Sequence, residues 1–328
     1  MKLKKYLLIC LVLFSANIYS QNKNLVGKWI LDKVKLSDGS NLQINNPEYS
    51  TNLNYIIEPN SIKIADLKFD ADFSGNQIKT QYRNINYVIK DDYLITQEGK
   101  KGKIYYFLKS DDFVEKYPYF SLKETKRDNT IVYIANNLSD YIFDNDLSFE
   151  DFMSQNRMLR DRPSKSFDNL YFKIEFILTK NNKIKDIKII KSIDTAYDND
   201  YISTLKKSEK FFKNISEKDL LITKDVNHLK WANDLTNTDE KKLYILRAKG
   251  MEYYNSNDFE KAIEIFFEIE NLKIKDNRFN TFIKDSRIKL GISLLATGKN
   301  EAACNTFNKV GNKTDFDIRN FLIDFCSN

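Results

Sequence analysis

The chain has 328 residues, a formal charge of +6 from 52 Lys and Arg against 46 Asp and Glu, and an aromatic stock of 23 Phe, 19 Tyr and 2 Trp. That length suits two or three domains better than one core, and only 9 Gly and 4 Pro argue against a long disordered linker. The charges are interspersed, as in Lys90-Asp91-Asp92 and Lys109-Ser110-Asp111-Asp112, which excludes the one-sided basic stripe of a nucleic-acid binder.

The first predicted element is a secretory signal over residues 1–20. Met1-Lys2-Leu3-Lys4-Lys5 is basic, Tyr6 to Ile18 is apolar apart from Ser15 and Asn17, and a small residue precedes a cleavage site between Ser20 and Gln21. The apolar run is too short for the about 20 residues that cross a bilayer, and no later stretch replaces it. The expectation is an exported chain with no stable transmembrane anchor. The periplasm is the expected address, with an outer-membrane-associated or secreted location as the alternatives. Cys10 leaves with the signal, and Cys304 and Cys326 remain. An oxidising compartment allows a disulfide between them; two buried thiols on facing helices are the other reading.

Residues 24–135 are predicted as an all-β domain, a barrel or a meander. Short alternating apolar runs at Lys28–Leu36, Asn54–Ile57, Ser61–Ile64, Lys79–Ile89, Tyr93–Gln97, Lys103–Leu108, Tyr119–Glu124 and Thr130–Ile134 are separated by turn residues. Residues 136–216 read as a small α+β module. Ser148 caps a short helix, Tyr171–Leu178 and Ile184–Lys191 form a hairpin around a polar turn at 180–183, and Tyr197–Phe212 is a helix. Residues 217–236 are polar and mixed and are taken as a connector. Residues 237–328 are predicted all-helical, with helices at Lys242–Asn255, Phe259–Ile269, Thr281–Ala296, Glu301–Val310 and Thr314–Asp324.

The helical region repeats internally. Gly250, Tyr253, Asn257, Phe259, Ala262 and Phe266 recur 41 residues later as Gly291, Leu294, Gly298, Asn300, Ala303 and Phe307. Small residues at Gly250/Gly291 and Ala262/Ala303 let two antiparallel helices approach, with bulky groups beside them. This pattern resembles the tetratricopeptide repeat, whose usual period is about 34. The resemblance implies helical hairpins and a concave face for partner proteins or peptides. A plain helical bundle is the competing reading.

Phe172 to Leu178, the Asn181-Asn182-Lys183 turn, and Ile184 to Ser192 followed by a helix resemble the C-terminal domain of TonB-type energy transducers. That resemblance implies an exposed sheet edge able to take up a partner strand. Leu25-Val26-Gly27-Lys28-Trp29, a Gly-x-Trp opening the first strand, resembles the start of lipocalin-like domains. It implies a barrel with Trp29 at its base beneath a cation, for which Lys126 or Arg127 are the candidates. A hollow barrel would place Trp29, Tyr55, Tyr82, Tyr87, Tyr105 and Phe107 around a small apolar ligand; a filled one would use them as core.

No catalytic constellation emerges. The single histidine, His228, lies in the expected connector, whereas triads and zinc sites need a histidine held by a scaffold. Carboxylate pairs such as Asp70/Asp72, Asp91/Asp92, Asp111/Asp112 and Asp144/Asp146 fall at turns, where Asp is favoured anyway. Glycine loops for phosphates are absent. The sequence therefore predicts no cofactor, no metal and no enzyme. It points to a cell-envelope interaction or scaffold protein, with a carrier of a small apolar ligand as the alternative.

Overall fold

A computed structural model describes residues 24–65, 67–99, 102–128, 130–158, 171–227 and 235–326. The expected signal, with Ser20 and Gln21, and His228 lie outside the described residues. The strands in chain order are β1 (Gly27–Lys35), β2 (Asn54–Glu58), β3 (Ser61–Ile64), β4 (Leu67–Asp70), β5 (Asp72–Ser74), β6 (Gln77–Lys79), β7 (Asn84–Lys90), β8 (Tyr93–Glu98), β9 (Ile104–Lys109), β10 (Lys123–Arg127), β11 (Thr130–Ile134), β12 (Tyr141–Phe143), β13 (Tyr171–Leu178), β14 (Ile184–Lys191), β15 (Phe212–Asn214) and β16 (Leu220–Asn227). The helices are α1 (Ser110–Lys116), α2 (Phe149–Asn156), α3 (Thr195–Ser208), α4 (Thr238–Asn255), α5 (Phe259–Glu270), α6 (Asn280–Ala296), α7 (Asn300–Val310) and α8 (Phe316–Cys326). They form two compact units, one of residues 24–119 with 311–326 and one of residues 120–310.

In the first unit nine antiparallel strands pair in the order β4-β3-β2-β1-β9-β8-β7-β6-β5. β4 and β5 stand at opposite ends of this order, yet only Ala71 separates them in the chain. Asp70 pairs with Ser61 of β3, while Asp72 pairs with Lys79 of β6. One bent segment therefore joins both ends, and the sheet curls into a nearly closed barrel. Strand alternation sends Trp29, Leu31, Tyr55, Ile57, Ile62, Ile78, Ile85, Leu94 and Phe107 into one core. The β7–β8 turn is Asp91-Asp92, both at positive φ (50° and 64°), the backbone a tight two-residue hairpin requires. On the outer face α1 packs against β1 and β9, and Phe113 stacks on Phe316 of α8 with ring centroids 6.2 Å apart. The β1–β2 connection holds α8 as well: Tyr49 stacks on Phe321 at 4.9 Å, and its hydroxyl donates to Asp324 at 2.6 Å.

Three expected boundaries move. β10 and β11 do not extend the barrel; they join the sheet of the second unit, in which β11 runs parallel to β16. Their alternation is the same in either sheet, so the local pattern could not assign them. Residues 220–227 of the expected connector form β16, which pairs with β13 along its whole length. The last helix, read with the helical repeats, belongs to the barrel unit.

The second unit contains a five-stranded sheet in the order β10-β11-β16-β13-β14. Phe172, Ile174, Phe176 and Leu178 of β13 share one face and pack with Tyr197, Tyr201 and Leu205 of α3 and Phe149 and Phe152 of α2. Ser148 caps α2 as expected, its Oγ accepting from the Asp151 amide at 3.0 Å. The expected helix through Phe212 stops at Ser208, and Phe212 begins β15, which pairs with β12.

On the other face of β13, Arg127 at the tip of the β10–β11 hairpin donates from Nε to Asp186 Oδ2 at 2.7 Å and from Nη1 to Glu175 Oε2 at 2.9 Å. All three side chains are largely buried. Arg127→Met would leave Glu175 without its donor and Asp186 with Lys188 alone, and is expected to cost about 1–2 kcal/mol. Hydrogen exchange across residues 123–134 should accelerate; unchanged protection there would refute the role.

The helical region forms two antiparallel hairpins, α4–α5 and α6–α7. A Cβ placed on Gly250 would stand 2.6 Å from Cε1 of Phe266, and one on Gly291 would run equally into Phe307. The two matched small-and-large pairs are thus two close helix crossings. The matched turn positions Asn257 and Gly298 both have positive φ, 60° and 76°, the left-handed residue that ends a helix.

Candidate functional site

Three regions were open to a functional reading: the barrel interior, a buried ionic cluster on its outer face, and the free edge of the second sheet.

The barrel interior is filled. Ile62, Ile78, Ile85, Leu94 and Phe107 are each 0% exposed, so no water-sized gap touches them. Tyr55 stacks on Phe107 at 4.4 Å, and burial pushes its hydroxyl up to about 12. Trp29 is buried at one end and donates from Nε1 to the Leu25 carbonyl at 2.7 Å. The expected cation over its ring is present but comes from elsewhere. Lys109 Nζ stands 5.5 Å from the ring centroid, because β9 pairs with β1 whereas Lys126 and Arg127 lie on β10 in the other unit. Tyr87 and Tyr105 are half-buried and donate to the Gly75 carbonyl at 3.2 Å and Glu48 Oε2 at 3.0 Å. Tyr82 sits in the β6–β7 turn, 71% exposed, and lines nothing.

The ionic cluster leaves no pattern in the sequence. Asp32 on β1 is buried, and its Oδ2 accepts from Tyr93 Oη and Lys116 Nζ, both at 2.8 Å. Its Oδ1 accepts from Tyr117 Oη at 2.6 Å, and its carbonyl accepts from Arg319 Nη2 of α8 at 2.7 Å. Arg319 is 1% exposed, and its guanidinium lies over the rings of Phe113 (5.0 Å) and Tyr117 (4.9 Å). Burial alone would raise the Asp32 pKa, but the donors Lys116 and Tyr117 and the lysine charge outweigh it, leaving the carboxyl below its ordinary value. Burial and the bond to Asp32 push the Tyr117 hydroxyl up to about 12. A carboxylate already accepting three donors and held acidic is a poor general base. The cluster is a fastening for α8.

The second sheet leaves β14 as an edge strand, paired among the described residues only with β13. Ile190 on it is 45% exposed. At the end of this strand, where Lys191 pairs with Lys173, an open cleft of about 750 Å³ is bounded by Tyr171 and Lys191 from the sheet, by Asn237, Asp239 and Glu240 at the start of α4, and by Lys273, Lys275, Asp276 and Asn277 from the α5–α6 connection. Asn237 caps α4, accepting from the Asp239 amide at 2.8 Å, and Asp239 in turn accepts from the Lys273 amide at 3.0 Å. The sheet edge and the helical hairpins thus meet at one cleft.

Of the repeat residues, Ala262, Leu294 and Ala303 are buried in the helix crossings. Phe259 meets Tyr254 edge-on at 5.9 Å, while Tyr253 is half-buried beneath Lys261, whose Nζ is 5.3 Å from its ring. Cys304 and Cys326 are disulfide-bonded, which is compatible with an oxidising compartment. Among the described residues no cluster of three or more His, Cys, Asp or Glu could hold a metal ion, and no helix is long and apolar enough to cross a membrane. No protein-family model matches the chain, and no curated protein matches it.

Proposed function

We propose that this is a non-enzymatic cell-envelope protein that binds partner proteins or peptides in extended form through its second unit. The carrying observation is the edge of β14, unpaired among the described residues, whose Lys191 end lines the cleft beside α4. An edge strand offers a row of backbone donors and acceptors to an added strand, and the adjacent cleft offers a place for its side chains. The resemblance of β13, β14 and α3 to the TonB C-terminal domain, and of α4 to α7 to tetratricopeptide hairpins, supports the same reading. The envelope address rests on the signal-like N-terminal sequence and on the disulfide.

A photo-crosslinking residue at Ile190, compared with one at exposed Leu67 of the barrel, tests this in the full chain. Adducts with a defined partner are expected from position 190 and not from position 67. The same adducts from both positions, or none from 190, would refute the binding edge.

A further inference from the structure

From the charge around this edge we infer that its occupant is an acidic extended segment; the inference rests on the binding reading above. Lys185 and Lys191 of β14 and Lys273 and Lys275 of the cleft form no ion pair among the described residues. Lys191 stands directly opposite Lys173 in the ladder, and like charges so placed repel. On its other side Lys173 faces Asp225 of β16, so Lys191 is the member of the pair without an acid opposite it, and most of the other acids nearby have partners. Asp186 pairs with Arg127 and Lys188. Asp276 accepts from the Arg278 amide at 2.9 Å and from its Nε at 2.6 Å. Asp239 accepts from the Lys273 amide, and Glu240 has a partner of its own.

Lys185 near one end of the edge, Lys191 at the other, and Lys273 and Lys275 in the cleft thus carry charge that no ion pair among the described residues neutralises. A strand added to β14 with a carboxylate opposite Lys191 relieves the Lys173–Lys191 repulsion, and further carboxylates entering the cleft meet the remaining lysines. The same charges turn away a second copy of this edge, as edge lysines commonly do. Selection by sign and protection from self-pairing are then one property of the strand.

Fluorescence anisotropy on the full chain tests this with short labelled peptides that alternate Val with Glu, Gln or Lys. The Glu peptide is expected to bind about tenfold more tightly than the Gln peptide, with the advantage shrinking as salt is raised. The Lys peptide should bind most weakly. Lys191→Glu combined with Lys273→Glu should invert the order, and Lys275→Glu alone should reduce it. These side chains are exposed, and circular dichroism would verify that each variant folds. Equal binding of the Glu and Gln peptides would overturn the charge inference while leaving the binding edge in place. No binding of any peptide would overturn both, leaving the lysines as guards against aggregation.

Discussion

Asp32→Ala is expected to cost about 3–5 kcal/mol, because it leaves buried Arg319, whose Nη1 lies 3.7 Å from Asp32 Oδ1, and Lys116 without their shared carboxylate. The expected effect is local before it is global. Arg319, Lys116, Tyr93 and Tyr117 all converge on this residue, so α8 and α1 should lose protection first. Hydrogen exchange over residues 110–116 and 316–326 reads this directly, and suits a chain of two units better than a single unfolding midpoint does. Normal protection of α8 in the variant would show that apolar stacking of Phe113 and Phe316 suffices to hold it.

The pH dependence follows from the same groups. The folded Asp32 carboxyl titrates below its ordinary 3.8, so protons prefer the unfolded chain. Its contribution is full above that value and is lost as the pH falls through the lower, folded one. The Tyr117 hydroxyl is raised from 10.0 to about 12, so its contribution is full below 10 and is lost as the pH rises towards 12. Protection of α8 should therefore be flat between about pH 4 and 10 and fall at both ends. A loss centred near neutrality would contradict this arrangement.

Gly250→Val should cost about 3 kcal/mol, although glycine is a poor helix former and valine a better one. The gain in helix propensity is under 1 kcal/mol, whereas even the first carbon of the new side chain would stand 2.6 Å from the Phe266 ring. Phe266→Leu in the same chain should recover part of the loss, giving a non-additive cycle. Thermal unfolding of the single and double variants measures it. Strict additivity would mean that the glycine serves something other than this crossing.

The helical region was the most legible part of the chain. Its elements are local, its apolar spacing matches their period, and the recurrence of Gly250/Phe266 at Gly291/Phe307 pointed to the crossings the structure contains. The hairpin of β13 and β14 and the cap at Ser148 were legible for the same local reason. Partner choice among distant strands was not. The strand at Thr130–Ile134 carries an alternation that fits either sheet, and Leu220–Asn227 looked like a polar connector because its central place in the sheet depends on β13, about 50 residues away. β4 and β5 escaped notice because Asp70 and Asp72 flank the bend and read as turn residues. Asp32 gave no signal at all: within Ile30 to Val34 it reads as an ordinary polar position, and the arginine that explains its burial lies 287 residues further on.

That separation sets a clock on the barrel unit. Chains are made at roughly 5–20 residues per second, so Asp32 waits on the order of 15–60 s after its own synthesis before Arg319, 287 residues later, exists to meet it. The nine strands can close without Arg319, because every one of their pairings lies within residues 27–109. The outer groove between β1 and α1, however, stays uncovered, with an acid and a ring of aromatics facing water. The barrel unit is completed late by construction, and α8 is the piece that ends its exposure.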